Sequence, residues 1–368
     1  MNSRERFLKT MTFGRPDRPA EGDYFAYAAT QERWEREGLP SGVDLNDYFG
    51  MDFYPFCTPL RWRVPALDHV IPWYETSVIE ETAEYTIRRE VTGDVVKILK
   101  NVPPPAMPQF MAHPLSSRKD WDDFKRRLDP STPERLPKEF FKSATASNDR
   151  DYPLGLWVGG GYGYIRNWWG VEGVSLLFYD DPAFVEEMIE ALIHFYGGLF
   201  DRVIKTGVQL DWVMFWEDMA FKNGSLLSPE LYRKHCVRFH QAIMDKVRAA
   251  NVPVVMLDSD GRIDELIPLW LDLGITVMHP MEVASGMDVV AARKKYGKRI
   301  GFFGGIDKRA LAGSREDIRA EVLPKLEACL GEGGFIPACD HGIPPDVPLD
   351  NYRYFRELVR QTGERLCR

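Results

Sequence analysis

Five cysteines in 368 residues, none of them in a CxxC pair, are too few and too scattered for a disulfide framework. They point to a reducing compartment. No apolar run approaches the roughly 18 residues that a membrane span needs. The opening MNSRERFLKTMTFGRPDRPAEG has no apolar signal core. It reads as a short amphipathic helix ending near Gly14, followed by a proline turn, so a cytoplasmic protein is expected. No basic stripe stands out, and the formal net charge is -8, which argues against nucleic acid as a partner. There is no low-complexity segment, no long linker and no repeat of solenoid period. No GxGxxG precedes a helix.

What is present is a recurring pattern of elements. With 44% hydrophobic and 28% charged residues, the composition is that of an ordinary globular chain, long enough for one large α/β domain spanning 1–368. Apolar runs end in polar or glycine-rich clusters at 154–163, 211–219, 253–261, 274–281, 299–307 and 333–342. Helical stretches separate them. The stretch 181–207 opens on Asp181-Pro182 and the stretch 228–252 on Ser228-Pro229, each a cap followed by a first-turn proline. Continuous apolar strands alternating with helices predict a parallel sheet covered on both faces. Further strands are expected near 23–29 and 109–115, which makes eight and favours a (β/α)8 TIM barrel. Residues 82–101 read as a β-hairpin around a Thr-Gly-Asp turn, inserted near the N-terminus. The alternative is an open sheet, hinted at by GGGYG at 159–163.

In such a barrel the chemistry lies at the C-terminal ends of the strands. Those ends carry Trp216-Glu217-Asp218, Asp258-Ser259-Asp260, His279-Pro280-Met281-Glu282, Asp307-Lys308 and Cys339-Asp340-His341. Alternation along a strand puts Asp258 and Asp260 on one side. Each residue also has a plain structural reading. Asp258 and Asp260 would cap a helix beginning near Arg262. Glu217 and Asp218 would pair with Lys222 or an arginine, His279 would donate to a backbone carbonyl, and Cys339 would fill core space. Two chemical readings compete with these. Asp258, Asp260, Cys339 and His341 are a donor set for a divalent metal. Alternatively Asp258, Asp260, Glu217 and His341 do acid–base work, with mutual repulsion raising one carboxyl pKa. Trp216, Tyr162, Asp218, His279 and Asp307 are the expected substrate contacts, and Tyr164, Trp168 and Trp169 add aromatic walls.

The opening RERFLKTMTFGRPDRP, the stretch WEDMAFKNGSLLSPELYRKH and the tail GGFIPACDHGIPPDVPLDNYRYFRELV resemble the uroporphyrinogen decarboxylase superfamily. The resemblance implies a (β/α)8 barrel. It implies either porphyrinogen decarboxylation or zinc-dependent methyl transfer between a corrinoid protein and an acceptor. The decarboxylase branch carries an RQAGRY-type motif after the N-terminal helix, where this chain has EGDYFAYAATQERW. The methyltransferase branch carries HxCG and a later Cys that hold zinc. Here the matching stretch is Asp258-Ser259-Asp260-Gly261, with Cys339 near the later position. Carboxylates thus stand in place of the His and the first Cys.

The expectation is therefore an enzyme moving methyl groups between a corrinoid protein and a small acceptor or a methoxylated or methylamine substrate, with zinc in a modified site. The corrinoid would ride on a separate protein, since no DxHxxG motif occurs here. A decarboxylase of a porphyrinogen-like or aromatic acid is the alternative, and a non-catalytic tetrapyrrole-binding protein a third. A homodimer is expected from the family.

Overall fold

An apolar strand with no polar face must be covered on both sides. A computed structural model of the chain, describing residues 1–56, 63–64, 70–102, 107–138 and 146–367, shows two kinds of sheet built on that rule. The first four strands are largely exposed and pair antiparallel: β1 (Ser77–Glu81), β2 (Tyr85–Arg89), β3 (Val95–Leu99) and β4 (Gln109–Ala112), in the order β1-β2-β3-β4. The hairpin expected over 82–101 is β2 and β3, turning at Thr92-Gly93-Asp94.

The second sheet is parallel and built from the unbroken apolar runs. It holds β5 (Gly155–Trp157), β6 (Trp212–Trp216), β9 (Val254–Asp258), β10 (Val277–His279), β11 (Gly301–Ile306) and β12 (Phe335–Cys339). A two-stranded ribbon, β7 (Ala220–Phe221) and β8 (Gly224–Ser225), follows β6. The spatial order is β12-β11-β10-β9-β6-β5, with neighbours in sequence adjacent in space. Isolated parallel bridges extend both edges: Ala26 to Ile343 beyond β12, Gly22 to Phe53, and Arg63 to Gly155 in β5. The bridges at Gly22 and Ala26, and those at Phe53 and Arg63, lie where the two remaining staves of a (β/α)8 ring belong.

Two expectations about strands are corrected. Residues 109–112 belong to the antiparallel sheet and not to the barrel. Around 23–29 there is an irregular stave with single bridges, and a helix starts at Ala28. The barrel's second stave, near Met51–Phe53, falls in a stretch too irregular to read as a strand.

The ring has an inside and an outside, set by the two-residue alternation. Trp212, Met214, Val254, Met256, Val277, Phe303, Ile336 and Ala338 form one interior cluster with Phe53. Val213, Phe215, Val255, Leu257, Met278, Phe302, Phe335 and Cys339 belong to the outer layer, packed with the helices. Helix α1 (Ser3–Met11) begins with a capping box from Asn2 and Glu5. It drives Phe7 and Met11 into the interior cluster, a burial that contributes roughly 1.5–3 kcal/mol for each side chain. Gly334, just before β12, donates its N–H to Thr10, and Arg4 donates to Asp211 just before β6. Thus α1 closes the N-terminal end of the ring and leaves the other end for chemistry.

Around the ring lie α2 (Gly163–Asp180), α3 (Pro182–Ile204), α4 (Val237–Ala249), α5 (Ile267–Leu273), α6 (Val289–Tyr296), α7 (Arg315–Cys329) and α8 (Leu349–Leu366). Asp181 caps α3 through the N–H of Phe184, as its Asp-Pro start predicts. The stretch 228–252 is two helices, broken at Cys236. Among the described residues, no helix is long and apolar enough to cross a membrane.

Candidate active site at the barrel rim

The end of β6 is decided by Glu217, which is fully buried. Its carboxylate accepts from the N–H groups of Gly161 (2.6 Å), Tyr162 (2.8 Å) and Gly163 (3.0 Å), the open N-terminus of α2. His240 Nε2 lies 3.0 Å from the same carboxylate, and Tyr232 Oη donates to it at 3.4 Å. This explains GGGYG. A Cβ on Gly160 would sit 1.9 Å from the carbonyl oxygen of Trp216, so glycine lets the turn press against β6. Glu217 caps a helix from another element, and its oxygens face that helix.

Residues of inside parity meet at the mouth. Asp258, ending β9, is 3% exposed, and burial raises its carboxyl pKa well above the usual range, with repulsion from Asp260 and Asp218 adding to it. His279, ending β10, has Nδ1 2.8 Å from the carbonyl oxygen of Phe303, so that nitrogen carries the proton. Its Nε2 is buried, has no hydrogen-bond partner among the described residues and lies 4.0 Å from Asp258 Oδ1. Burial pushes the His279 imidazole down to about 3, so it is neutral.

Asp260 caps no helix, because the next one begins only at Ile267. Its Oδ1 is buried and unpartnered among the described residues, and its Oδ2 lies 3.6 Å from His341 Nε2. Burial, then repulsion from Asp218 and Glu282, raises the Asp260 carboxyl to about 8, against the pull of Lys308. The side chains of Asp260 and His341 are 34% and 31% exposed, so solutes reach both. Burial, then the Lys308 charge, lowers the His341 pKa. The ring of Tyr24 stacks on His279 (5.0 Å) and on His341 (5.2 Å), and Tyr27 Oη is 3.3 Å from His341 Nδ1. Lys308 Nζ is 3.3 Å from Asp340, whose other oxygen accepts from the N–H of Val283.

A cavity of about 650 Å³ opens beside this cluster, between the antiparallel sheet and α2. Tyr164, Trp168, Tyr196 and Trp216 line it, and Arg166 and Asp218 stand where it meets the rim. Arg166 donates to Asp218 Oδ2 (3.2 Å) and to the Asp218 carbonyl (2.7 Å). Asp218 Oδ1 in turn accepts from the N–H of Asp260 at 3.2 Å.

The structure gathers Asp258, Asp260, His279 and His341, with Asp218 and Trp216 beside them. Other expected site residues lie elsewhere. Cys339 has outer parity, its N–H donates to Asp23, and burial raises its thiol pKa well above normal. It therefore cannot face Asp258 across the mouth. Tyr162 is fully buried and stacks on Phe178. Asp307 spends both oxygens on Arg309 and caps a short helix at Lys308. Among the described residues, no group of three or more His, Cys, Asp or Glu is arranged to hold a metal ion. The expected set of Asp258, Asp260, Cys339 and His341 does not fit zinc, because its one sulfur donor points into the helical layer. The sequence reading named Lys308 and Asp340 at strand ends without giving them a role, and it missed Tyr24 and Arg166. Tyr24 lies between the bridges at Gly22 and Ala26 and could have been found by the same rule that found Asp258. Arg166 is on a helix, where no motif marks it.

Comparison with known proteins follows the same lines. The family model described as Uroporphyrinogen decarboxylase (URO-D) matches residues 101–362. A protein named uroporphyrinogen decarboxylase from Alcanivorax borkumensis is 26% identical over 197 residues, 52% of either chain. One of the same name from Legionella pneumophila is 28% identical over 162 residues, covering 43% of this chain and 42% of its own. The chain thus spans about half the length of the curated relatives it matches. A solved structure titled as a methyltransferase from Methanosarcina mazei superposes with a TM-score of 0.65 over 98% of both chains, at 15% identity. That likeness is one of fold.

Proposed function

The chain belongs to the uroporphyrinogen decarboxylase family, and from that premise we propose that it is a carboxy-lyase acting on an aromatic acid, with Asp260 as the proton donor. The observation that carries this reading is Asp260 itself: a carboxyl raised to about 8, open to solutes, 3.6 Å from His341 Nε2. An acid with a pKa near the working pH is both protonated and able to give its proton away.

The step is simple and needs no co-reactant. The Asp260 proton goes to the ring carbon that bears the carboxylate. The bond between that carbon and the carboxylate breaks, its electron pair returns to the ring, and CO2 leaves. Water reprotonates Asp260, with His341 as relay. Asp258, kept neutral by burial, holds the proton-rich state by adding no second negative charge. His279 presents an acceptor nitrogen to the protonated Asp258. Arg166 supplies the positive charge at the rim for an incoming carboxylate. The names of the curated relatives point the same way, toward decarboxylation.

Corrinoid-linked methyl transfer is the second reading. It is favoured by the aromatic cavity of about 650 Å³ beside a protonated acid, which suits a methoxylated ring. A corrinoid on a separate protein would supply the methyl acceptor. This chain would bind the ring and give the Asp260 proton to the departing oxygen.

The test is turnover of aromatic acids in deuterated water by the protein alone. The carboxy-lyase reading expects CO2 with one deuteron placed on the ring, lost in Asp260→Asn. Methyl loss only when a reduced corrinoid protein is added, with no CO2, would replace the first reading by the second.

A further inference from the structure

Two polar pairs line the cavity beside the rim, and the catalytic reading uses only one. In one, Arg166 pairs with Asp218. In the other, just after β4 of the antiparallel sheet, His113 Nδ1 lies 3.1 Å from Asp94 Oδ1. Both His113 and Asp94 line the cavity. A carboxylate can only accept, so Nδ1 carries a proton, and in the neutral ring Nε2 presents a lone pair.

The placing of His113 is enforced by the chain. Gly170 interrupts α2 with a φ of 73°, and a Cβ there would lie 2.5 Å from His113 Nε2. Leu115 donates its N–H to the Trp168 carbonyl, pinning the strand that carries His113 against α2. Phe110 stacks on the imidazole at 5.4 Å. Met107, which also lines the cavity, is 87% exposed. Tyr164, Trp168, Tyr196 and Trp216 supply aromatic walls. Aromatic walls with an arginine and a hydrogen-bond acceptor among them fit a flat ring that carries both an anion and a hydroxyl.

The geometry points to a binding site for hydroxylated aromatic carboxylic acids, with the carboxylate on Arg166 and the ring hydroxyl donating to His113 Nε2. Three of the five N–H donors of Arg166 are spent on Asp218 and Asn167, and among the described residues the others remain for a ligand. The inference names the substrate class of the carboxy-lyase reading and rests on that reading for turnover, though not for binding. It also adds chemistry. As the hydroxyl proton moves toward His113, electron density rises at the opposite ring carbon, which is where Asp260 delivers its proton. After CO2 leaves, His113 returns the proton to the oxygen, so the product is the phenol.

The probes are 4-hydroxybenzoate, benzoate and cyclohexanecarboxylate, titrated calorimetrically into the whole protein. 4-Hydroxybenzoate should bind about tenfold or more tightly than benzoate, because a site built for a hydroxyl leaves an unpaired acceptor without one. Cyclohexanecarboxylate should bind more weakly still. His113→Phe should erase the preference for the hydroxyl, and Arg166→Gln should weaken both aromatic acids about tenfold or more. His113→Gln, which keeps an acceptor, should retain part of the preference and serves if the Phe variant does not fold. Equal affinity for the two aromatic acids, a preference untouched by His113→Phe, or no saturable binding of any of the three would overturn the inference. Asp260→Asn separates the two claims. Binding kept with CO2 release lost supports both. Binding kept with CO2 release unchanged removes the carboxy-lyase role of Asp260 and leaves the binding site standing.

Discussion

Replacing Glu217 by glutamine changes one oxygen into an NH2 group and almost nothing in volume. In an acid that serves catalysis, such a change spares the fold and stops the reaction. Glu217 should behave in the opposite way. Oε1 accepts from Gly161 N–H and stands beside His240 and Tyr232, and Oε2 accepts from Tyr162 and Gly163. Whichever oxygen becomes the NH2, donors then face donors. The cheaper arrangement puts the NH2 at Oε1, where the Tyr232 hydroxyl or the His240 ring can accept from it, and orphans the N–H of Gly161. A buried donor without an acceptor costs about 1–3 kcal/mol, so Glu217→Gln should lose about 1–3 kcal/mol. The loss also removes a negative charge from the positive end of α2. Denaturant unfolding, followed by tryptophan fluorescence, measures it as a lower midpoint at unchanged slope. A variant within about 0.5 kcal/mol of wild type would refute the assignment of Glu217 as the cap of α2.

Four further outcomes are expected. Asp260→Asn should change the pH dependence of stability. The folded pKa of Asp260, about 8, lies above its unfolded value, so the wild type loses stability as pH rises from about 4 to about 8. Melting temperatures across that range should fall less steeply in the variant, and parallel curves would count against the raised pKa. Asp218→Asn removes the charge that adds most to that shift after burial, so the pH above which activity falls should move downward in a rate profile. Cys339→Ala should keep activity and cost about 1–2 kcal/mol for a small cavity; a large loss of turnover in a folded variant would return Cys339 to the site. Gly160→Ala should fail to accumulate as folded protein, because its Cβ would meet the Trp216 carbonyl at 1.9 Å, and normal expression with a normal melting temperature would contradict the packing described.

The gathering of acids and imidazoles at strand ends was legible because a barrel places every strand's C-terminal end on one rim. VVMLD running into Ser259-Asp260-Gly261 marks such an end without any partner being known. The side each residue faces was harder. A strand of a half-exposed sheet announces its faces by alternating polarity, as Tyr85-Thr86-Ile87-Arg88 in β2 does. The barrel strands are apolar on both faces, so β6 and β12 gave no sign that Trp216 turns to the mouth while Glu217 and Cys339 turn to the helices. Counting by twos from the interior residues Met214 and Ala338 resolves this, but only the packed ring identifies those as interior.

The sequence by itself determined the class of fold, the rim on which the chemistry lies, and the acids and imidazoles Asp258, Asp260, His279 and His341 that stand there. Each of these follows from local periodicity and from turn chemistry. The tertiary structure decided what those groups are able to do. Arg166 meets Asp218 across 52 positions of chain, and Asp260 meets His341 across the ring. The raised carboxyl of Asp260 is made by burial and by Asp218 and Glu282, none of it visible in one segment. The cavity exists only because an inserted sheet with a polarity pattern of its own folds back onto the kink at Gly170. Charge, burial and enclosure are properties of neighbours in space, and the order of the residues along the chain does not state them.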